Sequence, residues 1–275
     1  MKVGVIGAGA SGISAALHAA WNGADVTMLE RNLTVGRKLL VTGSGRCNIS
    51  NDFVSPEKYF CADPAWMEKL INCFGVHDLL DMLADIGVPV YKTSDGWYYP
   101  LSESAHSVVS AFSSAMEVAG VVLKTSAQVT SIQPGEKSFL ISFLHDQSEQ
   151  RQEFERIVVS TGGKAYPSLG SRGELFSELK RLGHTVLPIR PALAPVIAEL
   201  GNLQPLQGVR MDAGVTLWEG SRRVSSTLGN MIFTQWGLNG PAVMDLSHHI
   251  SANPDAEFQL SLNLLAPFQE AFDLL

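Results

Sequence analysis

Charge is scarce in this chain. Of 275 residues only 17% are charged, against 45% hydrophobic, which excludes a disordered polyelectrolyte and points to a folded protein with a substantial core. Positive charge is scarcer still. The 20 Lys and Arg residues are outnumbered by 27 Asp and Glu, for a net charge of −7, so no basic excess is available for a nucleic-acid-binding surface. Cysteine is nearly absent: Cys47, Cys61 and Cys73 are an odd count without a CxxC pair, giving neither a disulfide framework nor a zinc site. No apolar run reaches the roughly 18 residues of a membrane span. The apolar stretch after Lys2 is interrupted by Gly4, Gly7, Gly9 and Gly12, which is not the pattern of a secretory leader. The expectation is a cytoplasmic protein with no membrane or nucleic-acid partner and no metal. Its length suits about two domains, and no internal repeat stands out.

What is present begins with "KVGVIGAGASGISAALHAAWNGADVTMLERN". Val3, Val5 and Ile6 read as a buried strand, and Gly7, Gly9 and Gly12 give GxGxxG at the turn into a helix. That helix carries Ile13, Ala16, Leu17 and Ala20 and ends at Gly23; Val26 to Leu29 then form a second strand closing on Glu30. In such a unit the glycines provide a tight turn, a close approach for pyrophosphate, and helix–strand packing. The helix N-terminus offers N–H groups to phosphate. Gly7, Gly9, Ala10, Ser11, Gly12, Glu30 and Arg31 are therefore candidate dinucleotide contacts, with Glu30 placed to accept ribose hydroxyls. The alternative is a glycine-rich turn followed by a surface acid.

A second glycine-rich and basic segment follows, "GRKLLVTGSGRCNISN" at residues 36 to 51. Its glycines permit close ligand approach and its cations neutralise anions. An NAD-binding unit usually proceeds directly to another helix, so this segment suits a longer cofactor with a ribityl chain and an isoalloxazine ring, FAD.

These stretches, with "YYPLSESAHSVV", "VVSTGGKAYPSLGS", "LGHTVLPIRPALAPV" and "GNMIFTQWGLNGPAVMDLS", resemble the BaiN/RdsA-like family of FAD-dependent oxidoreductases. That family includes aminoacetone-oxidase-like and bile-acid-reductase-like members. The resemblance implies an α/β fold: a Rossmann-like FAD-binding domain, residues 1–190, with an inserted β-rich second domain, residues 191–275. It implies that Gly36, Arg37 and Lys38 lie near phosphate or ribityl and that Gly45, Arg46, Cys47 and Asn48 lie toward the flavin ring. Cys47 beside a flavin admits a redox role. With no partner cysteine near in sequence, packing against the ring is the reading preferred. Val129 matches a position that meets adenine through its backbone, or it is a plain sheet residue. Thr161, Gly162 and Gly163 let FAD pass close to backbone.

Along the rest of the chain, Leu70, Phe74, Leu79, Leu80 and Leu83 share helical spacing up to Gly87. Ser102 or Ser104 is placed to cap a helix carrying Val108, Phe112 and Met116. "VVLKTSAQVTSI" reads as one strand. "SFLISFL" and "EFERIVVST" read as two more, joined by the polar "HDQSEQRQ". Ser171 and Glu174 fit a capping box. Pro188, Pro191 and Pro195 mark a domain crossing near residue 190. Beyond it comes a hairpin turning at Glu219 and Gly220, and Pro241 sits in a first helical turn. "APFQEAFDLL" reads as the start of an amphipathic helix.

The function implied by the resemblance is hydride transfer between flavin and a small organic substrate docked between the two domains, with oxygen, NAD(P) or a carrier as electron partner. Oligomeric state is not readable, and no residue reaches a catalytic assignment. Arg46, Tyr166 and Gln235 are pocket candidates. The family usually has Ser where Ala165 stands, Thr-Gly-Asp-Gly from Ser171 onward, and His or Asp where Gln235 stands. These departures keep a non-catalytic FAD-fold module as one rival, and an RNA-modifying flavoenzyme is the other. In the resembling family the chain also returns to the first domain with a final strand. Nothing after residue 190 matches that return, so the second domain is expected to be truncated and FAD binding weak or absent.

Overall fold

The computed structural model describes residues 1–268. The chain divides into two compact units, Met1–Val186 and Leu187–Leu275. The first unit opens with β1 (Lys2–Ile6), α1 (Ala10–Trp21) and β2 (Asp25–Leu29). Then come β3 (Ser50–Asn51), α2 (Pro64–Cys73), α3 (Val76–Asp85), β4 (Val90–Lys92), β5 (Trp97–Pro100) and α4 (Ala105–Val118). The unit continues with β6 (Val122–Lys124), β7 (Ala127–Pro134), β8 (Phe139–His145), β9 (Ser148–Phe154), β10 (Arg156–Val159) and α5 (Phe176–Arg181).

Strands β10, β1, β2 and β6, in that order, form a parallel sheet. It is covered on both faces, which is why β1 is buried without interruption from Val3 to Ile6. Strand alternation assigns the faces. Val3, Val5, Val26 and Met28 join Ile13, Ala16 and Leu17 of α1 and Val108, Phe112 and Met116 of α4 in one cluster. Ile6 and Leu29 join Ile132, Ile141, Phe143 and Phe154 of the antiparallel β7-β8-β9 meander in another. Gly4 leaves room for that second layer, since a Cβ there would lie 2.8 Å from the Phe154 ring. Burying side chains of this size contributes about 1.5–3 kcal/mol each. Cover on both faces is what holds a sheet of four short strands.

Several local expectations are corrected. "VVLKTSAQVTSI" is two strands in different sheets, parted at Ser126 with φ +54°. The chain bends there because Glu30 N–H bonds Lys124 O while Ala127 N–H bonds Glu30 O, both across 2.8–2.9 Å. The polar "HDQSEQRQ" is no mere connector: His145 ends β8, Asp146 and Gln147, at φ +49° and +62°, make a tight turn, and Ser148 onward is β9. The helical spacing around Phe74 covers two helices, because the Gly75 amide is taken by the Asp78 carboxylate (2.7 Å), which opens α3 afresh. Ser104 occupies the N-cap of α4 without a side-chain bond, and Ser102 pairs with Ser107 instead.

The second unit is an antiparallel sheet of β11 (Val196–Ile197), β12 (Arg210–Glu219), β13 (Arg222–Thr234), β14 (Gly237–Asn239) and β15 (Phe258–Asn263). Its spatial order is β11-β14-β13-β12-β15. The β12–β13 turn lies at Gly220–Ser221, with Glu219 paired to Arg222. Ala213, Val215 and Leu217 alternate inward and pack with Met231, Phe233, Val243 and Leu246. Helix α6 (Pro241–Met244) has Pro241 at its first position, and α7 (Ser247–Ala252) follows. The amphipathic tail expected from "APFQEAFDLL" lies mostly outside the described residues; Ala266–Phe268 is a single 3₁₀ turn. Among the described residues no helix is long and apolar enough to cross a membrane.

Candidate functional site

The site grows from the turn between β1 and α1. Gly7 N–H bonds Leu29 O at 2.8 Å, and the Ser160 hydroxyl after β10 donates toward Ile6 O and Gly7 O at 2.9 and 3.0 Å. The turn is thus clamped from both neighbouring strands. Gly12 is required by packing: a Cβ there would sit 1.9 Å from Gly7 O. Gly9 differs. Its φ of −83° suits any residue, and a Cβ there would meet nothing within 4 Å. Neither strain nor crowding inside the protein calls for glycine at that position. The empty space it faces is a cavity of about 460 Å³.

One side of that cavity is the start of α1. Gly9 carries no side-chain cap bond, and the first intrahelical bond is Ile13 N–H to Gly9 O at 2.9 Å. The amides of Ala10, Ser11 and Gly12 therefore have no intrahelical acceptor and present a partial positive charge. Beside them stands Glu30, 7% exposed. One carboxylate oxygen accepts Ala8 N–H at 2.7 Å, and the other accepts the backbone and side-chain N–H of Asn32 at 2.8 and 2.6 Å. A carboxylate offers about four lone-pair sites, so capacity remains for a ribose hydroxyl.

Three cations follow. Arg37 donates to Asn32 Oδ1 (2.7 Å) and Ser168 O (3.4 Å), and Lys38 donates to Ser171 Oγ (3.0 Å) and Ala165 O (3.3 Å). Those acceptors are neutral, so the positive charge of Arg37 and Lys38 stays uncompensated by them and suited to an anion. Arg31 is instead paired with Glu174. The expected capping box is therefore not formed. Ser171 and Glu174 bind Lys38 and Arg31 across the cavity, and α5 begins later, at Phe176.

Of the residues expected at the site, the structure brings Gly7, Gly9, Ala10, Ser11, Glu30, Arg31, Gly36, Arg37, Lys38, Val129, Thr161 and Gly162 together as cavity walls. Gly12 is packed beneath the turn. Gly163 lies outside the wall, which on the basic segment ends at Thr42, so Gly45, Arg46, Cys47 and Asn48 lie beyond it. Cys47 is buried in the core shared by α1 and α4, where burial pushes its thiol pKa up and the Thr42 side chain partly offsets this. It packs with apolar core, touches the wall residue Thr42, and is not itself part of the wall. Arg46 is exposed, with its guanidinium 4.6 Å from the centre of the Tyr99 ring. Tyr166 and Gln235 are exposed, and Tyr166 is not in the wall. Sequence reasoning missed Asn32, Gln128, Ser160, Gly170 and Leu175, which also line it. Only Asn32, two positions after the acid, carried a local signal, as an Asx side chain able to bond nearby backbone.

Residues 1–243 match the HI0933-like protein Rossmann domain. The chain is 33% identical over 252 residues to a 3-dehydro-bile acid delta(4,6)-reductase of Clostridium scindens, covering 91% of this chain and 60% of that protein. It is 28% identical over 270 residues to a ribosomal RNA dihydrouridine synthase of Escherichia coli, covering 94% of this chain and 65% of that protein. It thus spans less than two thirds of the length of these curated relatives. A solved 3-ketosteroid-delta4-(5alpha)-dehydrogenase from Rhodococcus jostii RHA1 is 19% identical, with a TM-score of 0.48 over 60% of this chain and 47% of that one. A Rossmann turn clamped between β1, β2 and β10, and a family match across most of the sequence, lead to one assignment: the chain belongs to the HI0933-like Rossmann family.

Proposed function

We propose that the cavity holds FAD and that the protein is an FAD-dependent oxidoreductase reducing a carbon–carbon double bond conjugated to a carbonyl in a small organic substrate. The observation that carries the cofactor reading is Gly9, a glycine with no internal cause, opening on a space bordered by a helix N-terminus, Glu30, Arg37 and Lys38. In this reading the amides of Ala10 and Ser11 hold the diphosphate, Glu30 holds the adenosine ribose, and Val129 borders the adenine. Lys38 and Arg37 neutralise the diphosphate or ribityl end. The segment Gly45–Asn48 continues from Thr42 toward the ring, with Arg46 on its exposed side. Bound there, FAD would supply hydride from its reduced ring, with NAD(P)H as the proposed electron source.

The substrate class rests on the relatives' names. A delta(4,6)-reductase of a 3-dehydro bile acid and a dihydrouridine synthase both saturate a double bond placed beside a carbonyl. RNA is the second reading, favoured by the dihydrouridine synthase relatives and opposed by the acidic balance of 27 acids against 20 bases. The cofactor is tested by denaturing the purified protein and identifying what is released by chromatography and mass. FAD is expected, and NAD without flavin would overturn the proposal. Anaerobic oxidation of the reduced flavoprotein by a 4-en-3-one steroid, set against a uridine-containing RNA, separates the two substrates.

A further inference from the structure

Two carboxylates are buried among the described residues, Glu30 and Glu178. Glu30 belongs to the cavity. Glu178 does not line it, and no step proposed above uses it. It sits in the first turn of α5, 8% exposed, and its Oε2 accepts the backbone N–H of Ile132 at 3.0 Å while also meeting Arg181 on the next turn.

Ile132 is in β7, one of the two edge strands of the meander. Just before it the pairing of β7 with β8 slips: Val129 faces Phe143 and Ser131 faces Ser142, leaving Thr130 as an extra residue. Such a bulge bends its strand and re-aims the side chains next to it. The residues upstream of this one, Ala127, Gln128 and Val129, are cavity wall. On the other side of the Glu178 bond, the residues leading directly into α5, Glu174 and Leu175, are wall as well. One buried side chain therefore ties together two separate stretches of the same rim, the first joined to the Glu30 backbone through Ala127 and the second to Arg31 through Glu174.

We infer that Glu178 is a positioning residue for the adenosine half of the cofactor, stapling α5 to the β7 bulge and so fixing the gap between Val129 and Leu175. This rests on the dinucleotide reading of the cavity. The reach of the side chain is what matters in it, and the charge is secondary, because a neutral acceptor of equal length takes the same N–H.

The test compares Glu178→Gln, Glu178→Asp and Glu178→Ala by amide hydrogen exchange at Ile132 and by calorimetric titration with ADP and with FAD. Glu178→Gln should keep the Ile132 amide protected and both affinities within about threefold of the unchanged protein. Glu178→Asp and Glu178→Ala should expose the amide and weaken ADP and FAD by the same factor, about tenfold, as a wall set in its binding geometry only about a tenth of the time implies. The aspartate variant keeps the charge, so it decides the matter even where the alanine variant fails to fold. An Ile132 amide equally protected in the aspartate variant overturns the staple. Exposed amide with unchanged ADP affinity, or a loss confined to FAD, overturns the positioning role. An unchanged protein that binds neither ADP nor FAD overturns the cofactor reading and the positioning role with it, while Ile132 exchange still reports on the staple alone.

Discussion

The Glu30 carboxylate accepts the amide hydrogen of Ala8 at 2.7 Å, joining the end of β2 to the turn before α1. The same side chain is thus fold and site at once. Glu30→Ala should lose charge-assisted bonds worth roughly 1.5–3 kcal/mol, on the order of ten- to a hundredfold in FAD affinity. It should also lower the melting temperature without any cofactor, because Ala8 N–H loses its acceptor. Titration with FAD and a thermal melt measure the two effects; an unchanged dissociation constant would assign Glu30 to the fold alone.

Gly9 and Gly12 should part company when each is replaced by alanine. A Cβ at Gly12 would overlap the backbone oxygen of Gly7 at 1.9 Å and crowd Ser160 Oγ at 2.6 Å, whereas a Cβ at Gly9 meets nothing within 4 Å. Gly12→Ala should abolish soluble expression or lower stability by several kcal/mol, on the order of the most severe core lesions. Gly9→Ala should fold with an unaltered circular dichroism spectrum and bind FAD at least tenfold more weakly, the order of one displaced diphosphate contact. Equal behaviour of the two variants would contradict this division of labour.

Thiol chemistry should separate the cysteines by burial. Cys47 is buried and its thiol pKa is raised by that burial, while Cys73 is exposed. Only the thiolate reacts. Alkylation at pH 8 followed by mass mapping should therefore modify Cys73 first and leave Cys47 intact until the protein is denatured. Rapid labelling of native Cys47 would mean that its segment opens.

Asp52 accepts Tyr98 OH at 2.6 Å and Lys92 Nζ at 2.9 Å, and these bonds, that of Tyr98 first, hold its pKa below the ordinary carboxylate value. A depressed folded pKa gives a contribution to stability that is complete above about pH 4. It is lost as pH falls through the folded value. Lys92 is shifted upward by the same partner, so its share holds below the ordinary lysine pKa and fades as pH rises through the raised one. A carbon-detected titration should show Asp52 with a low midpoint that climbs toward the ordinary value in Tyr98→Phe. A midpoint unmoved by that change would sink the assignment.

The part of the site that could be read from sequence is the part built from neighbours. Gly7 to Glu30 lie within one strand–helix–strand run, and their spacing alone places turn, helix start and acid. Ser171 and Glu174 were misread for the opposite reason. Their partners Lys38 and Arg31 lie 133 and 143 positions away, so a local window sees only S-x-x-E. The same holds for "VVLKTSAQVTSI": its β-rich composition continues through Ser126, but the division between two sheets is imposed by Glu30, just past the end of β2. Cys47 shows a third limit. Its place in a loop of ligand-binding residues suggested a cavity contact, while its φ of +63° turns the side chain into the core.

The central strand of the parallel sheet also sets a timetable. β1 pairs on one side with β2, which emerges from the ribosome soon after it, and on the other with β10. Lys2 meets its partner Glu155 across 153 positions. At synthesis rates of about 5–20 residues per second, the second edge of β1 waits on the order of ten to thirty seconds before its neighbour exists. Val3, Val5 and Ile6 spend that interval beside an unpaired row of amides and carbonyls, the kind of edge to which other chains add. Strand β1, made well before β10, is thus sealed late, and the yield of folded protein in a cell should depend on what shields it meanwhile.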